Sequence, residues 1–360
     1  MNKIESGEKL DFNNVLIRPK RSTLNSRSEV DLEREFKFKY SPRKWKGIPI
    51  IAANMDSTGT FEVCECLSTY NMITALHKFY KPEDYQNFYI KHVLCLYDEN
   101  FGVCDQIQVQ PDNFMVSTGI NNDAIDNLKK LFEVISCSWI CIDIANGYIS
   151  NLVKFCQNVR KEFADKIIVA GNVVTKELVE ELILYGKVDV VKVGIGPGSA
   201  CTTRLKTGVG MPQLSAILEC ADAAHGVGGH IISDGGITCP GDMAKAFGGG
   251  ADFVMVGGRF AGHDQNPGDV EEIDGKKYKS FHGMSSDKAQ ETHYGKMEKY
   301  RASEGRVLKI PYKGDLNETV QDYLGGLRST CTYINASTIK NMAKCTTFIR
   351  VSQQVNELFK

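Results

Sequence analysis

The sequence predicts a (β/α)₈ barrel, and three observations carry that prediction. Eight short apolar runs, rich in Val and Ile, are continuous rather than alternating, which is how parallel strands covered on both faces read. Segments with apolar residues three and four apart separate several of them, the spacing of amphipathic helices. Most runs end in glycine or asparagine, residues suited to turning the chain out of a strand.

In chain order the predicted strands are PIIAANM (49–55), NMITALH (71–77), FMVSTG (114–119) and WICIDIAN (139–146). KIIVAGN (166–172), DVVKVGIG (189–196), HIISDGG (230–236) and DFVMVGG (252–258) follow. NLVKFCQNVRKEFADK and TKELVEELILYGK are the clearest helical segments between them. A doubly wound open sheet competes, but eight strands in an unbroken alternation favour closure. Residues 1–360 read as one barrel domain with three additions. Residues 1–48 precede the first strand, 78–113 join strands two and three, and 259–360 follow strand eight. The last stretch, Gly-rich and polar, is expected to form a mobile cover over the functional rim and to end in a helix.

The totals restrict the function classes. Hydrophobic residues make up 42% and charged residues 24% of 360, ordinary for a globular enzyme. With 43 basic and 44 acidic residues the net charge is −1, which argues against non-specific nucleic-acid binding. The longest apolar runs are too short to cross a bilayer, and MNKIESGEKLDFNN has no signal-peptide core. The 12 cysteines are irregularly spaced, without C-x-x-C, so neither a disulfide framework nor a zinc site is expected. A reducing, cytoplasmic setting follows, with most cysteines acting as small buried hydrophobes.

Chemistry concentrates in GIGPGSACTTR, from Gly194 to Arg204. In a barrel the working face is where strands end, and Cys201 lies just beyond strand six. Glycines there permit a path that side chains would block, turning main-chain groups towards a ligand or ion. Arg204 or a loop dipole would raise the thiolate fraction of Cys201. The loop is no dinucleotide fingerprint, because Ser199 stands where a third glycine is required. SDGGI and VGGR cap strands seven and eight, positions that commonly bind phosphate through backbone N–H groups. Asp234, just before the glycines, is placed to accept from a ribose diol. Lys192, inside strand six, is a rival nucleophile by Schiff-base chemistry.

GIGPGSACTTR, PIIAANMDS, SDGGI, HGMSS, KYRASEG and GGLRSTCTY together resemble the IMP dehydrogenase/GMP reductase family, the last pair its reductase branch. The resemblance runs from Asp11 to about residue 340. It implies a barrel homotetramer that converts GMP to IMP and ammonia with NADPH through a covalent cysteine thioimidate. Cys201 then resembles the nucleophile, and Thr203 with Glu304 the pair that protonates the departing amine. Main-chain groups of Gly196, Gly198, Cys201 and Arg204 resemble a monovalent-cation loop for potassium. Asp234, Gly235, Gly236, Gly257, Gly258, Gly283, Met284, Ser285, Arg301, Ala302, Ser303, Glu304 and Gly305 match nucleotide-binding positions. Ser26, Arg27, Lys78, Asp143, Ile144, Ala145, Ile195, Gly196, Met284, Tyr300, Arg301, Ser329, Thr330, Cys331 and Thr332 match cofactor contacts, with Ser26 and Arg27 reaching from a neighbouring subunit. Arg27 and Lys78 are the cationic partners expected for the cofactor's 2′-phosphate.

The sequence departs from the family pattern in three places. Ala200 replaces a larger aliphatic residue, AGHDQNPGD replaces a more acidic run, and the extension around Cys95–Gln110 is longer than expected. The alternatives are an IMP dehydrogenase, whose usual regulatory insertion the strand 2–3 connection is too short to hold, and a non-catalytic nucleotide sensor.

Overall fold

The computed structural model describes residues 4–94, 109–295 and 303–352. The eight predicted runs form β1 (Ile50–Ala52), β2 (Ile73–Leu76), β3 (Phe114–Thr118), β4 (Trp139–Asp143), β5 (Ile167–Val173), β6 (Val190–Val193), β7 (His230–Asp234) and β8 (Phe253–Val256). Each pairs in parallel with its sequence neighbours, and Val254 opposite Ile50 closes the ring, so the fold is the predicted closed barrel. The helices are α1 (Phe61–Ser68), α2 (Pro82–Phe88), α3 (Ala124–Val134), α4 (Asn151–Glu162), α5 (Lys176–Leu184), α6 (Thr203–Thr207), α7 (Gln213–Gly226) and α8 (Pro240–Gly248). The strand residues are almost wholly buried, which is why their apolar pattern is continuous. Among the described residues no helix is long and apolar enough to cross a membrane.

The N-terminal extension decides which end of the barrel is free. Strands at Arg34–Lys37 and Lys44–Gly47 pair antiparallel. Phe36 from this hairpin stacks on Phe253 at 4.3 Å, and Trp45 meets Trp139 edge-on at 6.2 Å. Phe253 and Trp139 begin β8 and β4, so the hairpin plugs the N-terminal end and leaves the C-terminal end open.

Asp252, also at the plugged end, is 1% exposed and receives Arg34 at 2.8 Å and His225 at 2.8 Å. Burial pushes its carboxyl up, but hydrogen bonds from His225 and His230 outweigh that and hold it far below the usual carboxylate range. Asp252→Asn is expected to cost about 3–5 kcal/mol near neutral pH, since Arg34 loses its carboxylate. The native value lies below the unfolded one, so this contribution is present above about pH 4 and is lost as pH falls further. Urea titrations must show the gap at neutral pH and its closing in acid.

The segment after β8, expected to form a cover and to end in a helix, divides in two, and its last residues, 353–360, lie outside the described ones. Residues 259–295 and 303–315 make an excursion with β9 (Glu271–Ile273), β10 (Lys276–His282), β11 (Val307–Pro311) and a helix α9 (Asp287–Tyr294) between the last two strands. The chain then returns as α10 (Leu316–Ile334), which packs between α8 and α1 and completes the outer ring. Val320, Tyr323, Leu324, Leu327 and Cys331 form its buried stripe, so residues 316–334 belong to the barrel rather than to a cover. Arg350 lies in a further strand, Phe348–Arg350, which pairs with Val15–Ile17.

Candidate active site

A cavity of about 1030 Å³ lies at the C-terminal ends of the strands. Cys201 lines it, beyond β6 and just before α6. Its thiol donates to Thr203 Oγ1 at 3.2 Å, and the Thr203 hydroxyl donates to Glu304 Oε2 at 2.7 Å. Glu304 belongs to the excursion, which the backbone fastens to the cysteine loop. Thr202 N donates to Glu304 O at 2.8 Å, and Arg306 N to Ala200 O at 3.0 Å. The Arg306 guanidinium adds 3.1 and 2.8 Å bonds to Ser199 O.

The loop's glycines have steric causes. Gly196 has φ +87°, and a Cβ there would lie 2.6 Å from Arg204 Cγ. Arg204 therefore packs across the loop, donating to Met211 O at 2.6 Å, with Asp11 at 3.5 Å. Gly194 admits the carbonyl of Asp234, which a Cβ would meet at 2.1 Å. Every cysteine among the described residues is unpaired. Burial pushes the thiols of Cys64, Cys66, Cys137, Cys141, Cys156, Cys220 and Cys331 up to about 12. Those seven are inert; Cys201 is partly exposed and hydrogen-bonded to a hydroxyl.

The residues matched to nucleotide binding converge. Asp234, Gly235 and Gly236 after β7, Gly257 and Gly258 after β8, and Gly283, Met284, Ser285, Glu304 and Gly305 of the excursion line the same cavity. Ser303 stands behind them, its carbonyl accepting from Thr202 Oγ1 at 3.2 Å. Lys78, Asp143, Ile144, Ala145, Ile195 and Gly196 line the cavity too, as does Gly198. Tyr300, Arg301 and Ala302 lie outside the described residues, as does most of the extension around Cys95–Gln110.

The other matched positions lie elsewhere. Ser26 caps a short helix at Arg27–Glu29, which packs against α10, the helix carrying Ser329, Thr330 and Thr332. None of these lines the cavity. Cys331, grouped with them by sequence, is turned inward and fully buried, so its thiol is not on that surface.

Lys192 has a role that its sequence context concealed. It is 3% exposed, and its Nζ lies 2.6 Å from Asp143 Oδ1 and 2.8 Å from Asp234 Oδ2. Burial lowers its pKa, but the two carboxylates outweigh burial and raise it above the usual lysine value. A Schiff-base nucleophile needs a free amine, so this fully paired ammonium rules out the aldolase-like alternative. Two further features were missed. Asn172, next to last in β5, donates its Nδ2 to Gly194 O and to Asp234 Oδ2, both at 2.8 Å. Its signal was a polar residue at a strand end. Asp56 Oδ2 accepts from His282 at 2.9 Å and His293 at 3.0 Å, tying β10 and α9 to the loop after β1. His293 also stacks on Phe79 at 3.5 Å. No local pattern announced that contact, because its parts lie 226 and 237 residues apart.

Residues 9–357 match the IMP dehydrogenase / GMP reductase domain. GMP reductase 2 of Homo sapiens is 53% identical over 357 residues, covering 99% of this chain and 98% of that protein. GMP reductase of Buchnera aphidicola is 55% identical, covering 99% of this chain and 98% of its own. GMP reductase of Yersinia enterocolitica is 54% identical, covering 99% of each. With the closed barrel, the cysteine loop and a match of that extent, the chain belongs to the IMP dehydrogenase / GMP reductase family.

Proposed function

We propose a mechanism for the reductive deamination of GMP to IMP and ammonia, the reaction this chain catalyses, with Cys201 as nucleophile and NADPH as reductant. One observation carries it: the hydrogen-bond chain from the Cys201 thiol through Thr203 to Glu304, facing a cavity lined by the glycine loops after β7 and β8. The thiol proton passes along that chain to the carboxylate, leaving a thiolate that adds to purine C2. An amine leaves only when protonated, and the same relay returns the proton to it. Ammonia departs and a thioimidate remains on Cys201. A nicotinamide cofactor supplies the hydride for C2 when bound. Cys201 then leaves as thiolate and regains a proton from solvent. In sum, GMP, NADPH and two protons give IMP, NADP⁺ and ammonium.

The chain's other residues hold the partners. Asp234 accepts from the ribose diol, and the glycine loops after β7 and β8 offer N–H groups to the phosphate. Lys78 and Asp143, side by side in the cavity wall, suit a nicotinamide nucleotide, with Lys78 and Arg27 as partners for a 2′-phosphate. Ser26, Arg27, Ser329, Thr330 and Thr332 lie outside this cavity and, in a homotetramer, would serve a neighbouring copy's site. The carbonyls of Gly196, Gly198, Cys201 and Arg204 would hold a potassium ion: they are neutral oxygens, those of Gly198 and Arg204 also accepting from Cys201 N and Gly208 N, and the loop's one cationic side chain is engaged by Met211 and Asp11. Such an ion would hold the cysteine loop in shape. Residues 259–315, pinned through Asp56 and Arg306, would cover the reacting atoms.

The test is absorbance at the reduced-cofactor band with GMP, run with NADPH or NADH and with potassium or sodium. Loss of NADPH that depends on GMP, with release of ammonia and acceleration by potassium, is the expected result. Robust NADH formation from IMP without any GMP-dependent loss of NADPH would reverse the assignment.

A further inference from the structure

We propose that Lys192 is a positioning residue that couples the nucleotide and cofactor halves of the site, by tying Asp143 to Asp234 across the barrel floor. This rests on the reading above that Asp234 faces the nucleotide and Asp143 the cofactor.

The geometry is a bridge between three strands. Lys192 rises from β6, Asp143 ends β4 and Asp234 ends β7. A single ammonium reaches both carboxylates, at 2.6 and 2.8 Å. The oxygen of Asp234 that accepts from Lys192 also accepts from Asn172 of β5, at 2.8 Å. Four consecutive strands thus meet at one buried cation, and moving either carboxylate moves its shared partner.

The charges facing Lys192 form a closed set. Asp143 and Asp234 carry the negative charge, and Lys78 lies close enough to act on Asp143. Cys141 of β4 also faces Lys192, but burial pushes its thiol up to about 12, so it stays neutral. Asn54 and Asn172 contribute dipoles only. Burial is the largest single influence on Asp143 and pushes it up, but Lys192, together with Lys78 and Asn54, holds it below the usual carboxylate value. Without the ammonium, two partly exposed carboxylates within reach of one nitrogen would face each other at the cavity wall with no cation between them. One would hold a proton, and a protonated Asp234 loses acceptor capacity for a ribose diol.

The experiment measures GMP binding alone by titration calorimetry, on the full chain, at about pH 6 and about pH 8.5, a lower and a higher arm for a carboxylate pair whose mutual repulsion favours holding a proton. Affinities are taken as ratios to the unaltered protein at each pH, which cancels the titration of GMP itself. Lys192→Met is expected to weaken GMP about tenfold or more at the lower pH, and to recover by several-fold at the higher one as the carboxylates ionise. Lys192→Met/Asp143→Asn removes the surplus charge and is expected to bind GMP more tightly than the single variant at the lower pH. If Lys192→Met does not fold, Asp143→Asn alone decides. It keeps Lys192 but frees it from the cofactor side, and it must change GMP affinity at least about threefold. A pH-independent loss in Lys192→Met, a double variant no better than the single, or unchanged GMP affinity in Asp143→Asn overturns the coupling. Failure of the unaltered protein to bind GMP would instead refute the reading on which it rests.

Discussion

Cys201→Ala is expected to lower kcat at least about 10⁴-fold, because no other cysteine among the described residues lines the cavity and the direct displacement of an amine is slow. Affinity for GMP should fall by only a few-fold, since the loops after β7 and β8 and Asp234 remain in place. Mass spectrometry of the working protein should capture a nucleotide on Cys201 and none on the variant. Turnover that survives the substitution would remove covalent catalysis from the account, and a protein that merely senses nucleotide would register no catalytic change at all. The other described cysteines do not confound the experiment. Seven are held as neutral thiols by burial, and neither Cys239 nor Cys345 lines the cavity.

Glu304→Gln and Thr203→Val are each expected to cost about 10²–10⁴ in kcat, the usual worth of a positioned proton donor. The glutamine keeps the shape and still accepts from Thr203, but it cannot take the thiol proton or return it to the amine. The valine keeps the bulk and breaks the chain at its middle. Because the two residues act in series through one 2.7 Å hydrogen bond, the double variant should be little worse than the poorer single one. Losses that multiply would mean that Thr203 and Glu304 serve different steps. Ammonia release, followed with the cofactor signal, separates the two: the relay acts on the amine, so its loss must delay ammonia as much as it delays reduction.

Much of the barrel was legible because its signal is local. Eight apolar runs such as DVVKV and DFVMV read as strands buried on both faces without reference to any distant residue. The cysteine loop was legible for a similar reason: three glycines and a proline just after a strand announce a main-chain path that few other residues permit, and Gly196 shows the steric conflict directly. The segment after β8 was harder. Its polar, glycine-rich first part masked the amphipathic stripe of α10, so a barrel helix was merged with a cover. Lys192 was read for its intrinsic chemistry as an amine. Which charges stand beside an amine is not a property of the strand that carries it.

The sequence by itself determined the alternation that closes the barrel, the strand-end face on which the candidate site lies, and the cysteine loop that marks it. The family resemblance had already paired Thr203 with Glu304; only the tertiary structure decided that the Cys201 thiol donates to Thr203, that Lys192 is engaged by Asp143 and Asp234, and that the N-terminal hairpin seals the opposite end. The physical reason is range. Periodicity and turn chemistry are set by neighbours within a few residues, whereas hydrogen bonds and ion pairs depend on which strand ends the closed ring brings within 3 Å of one another.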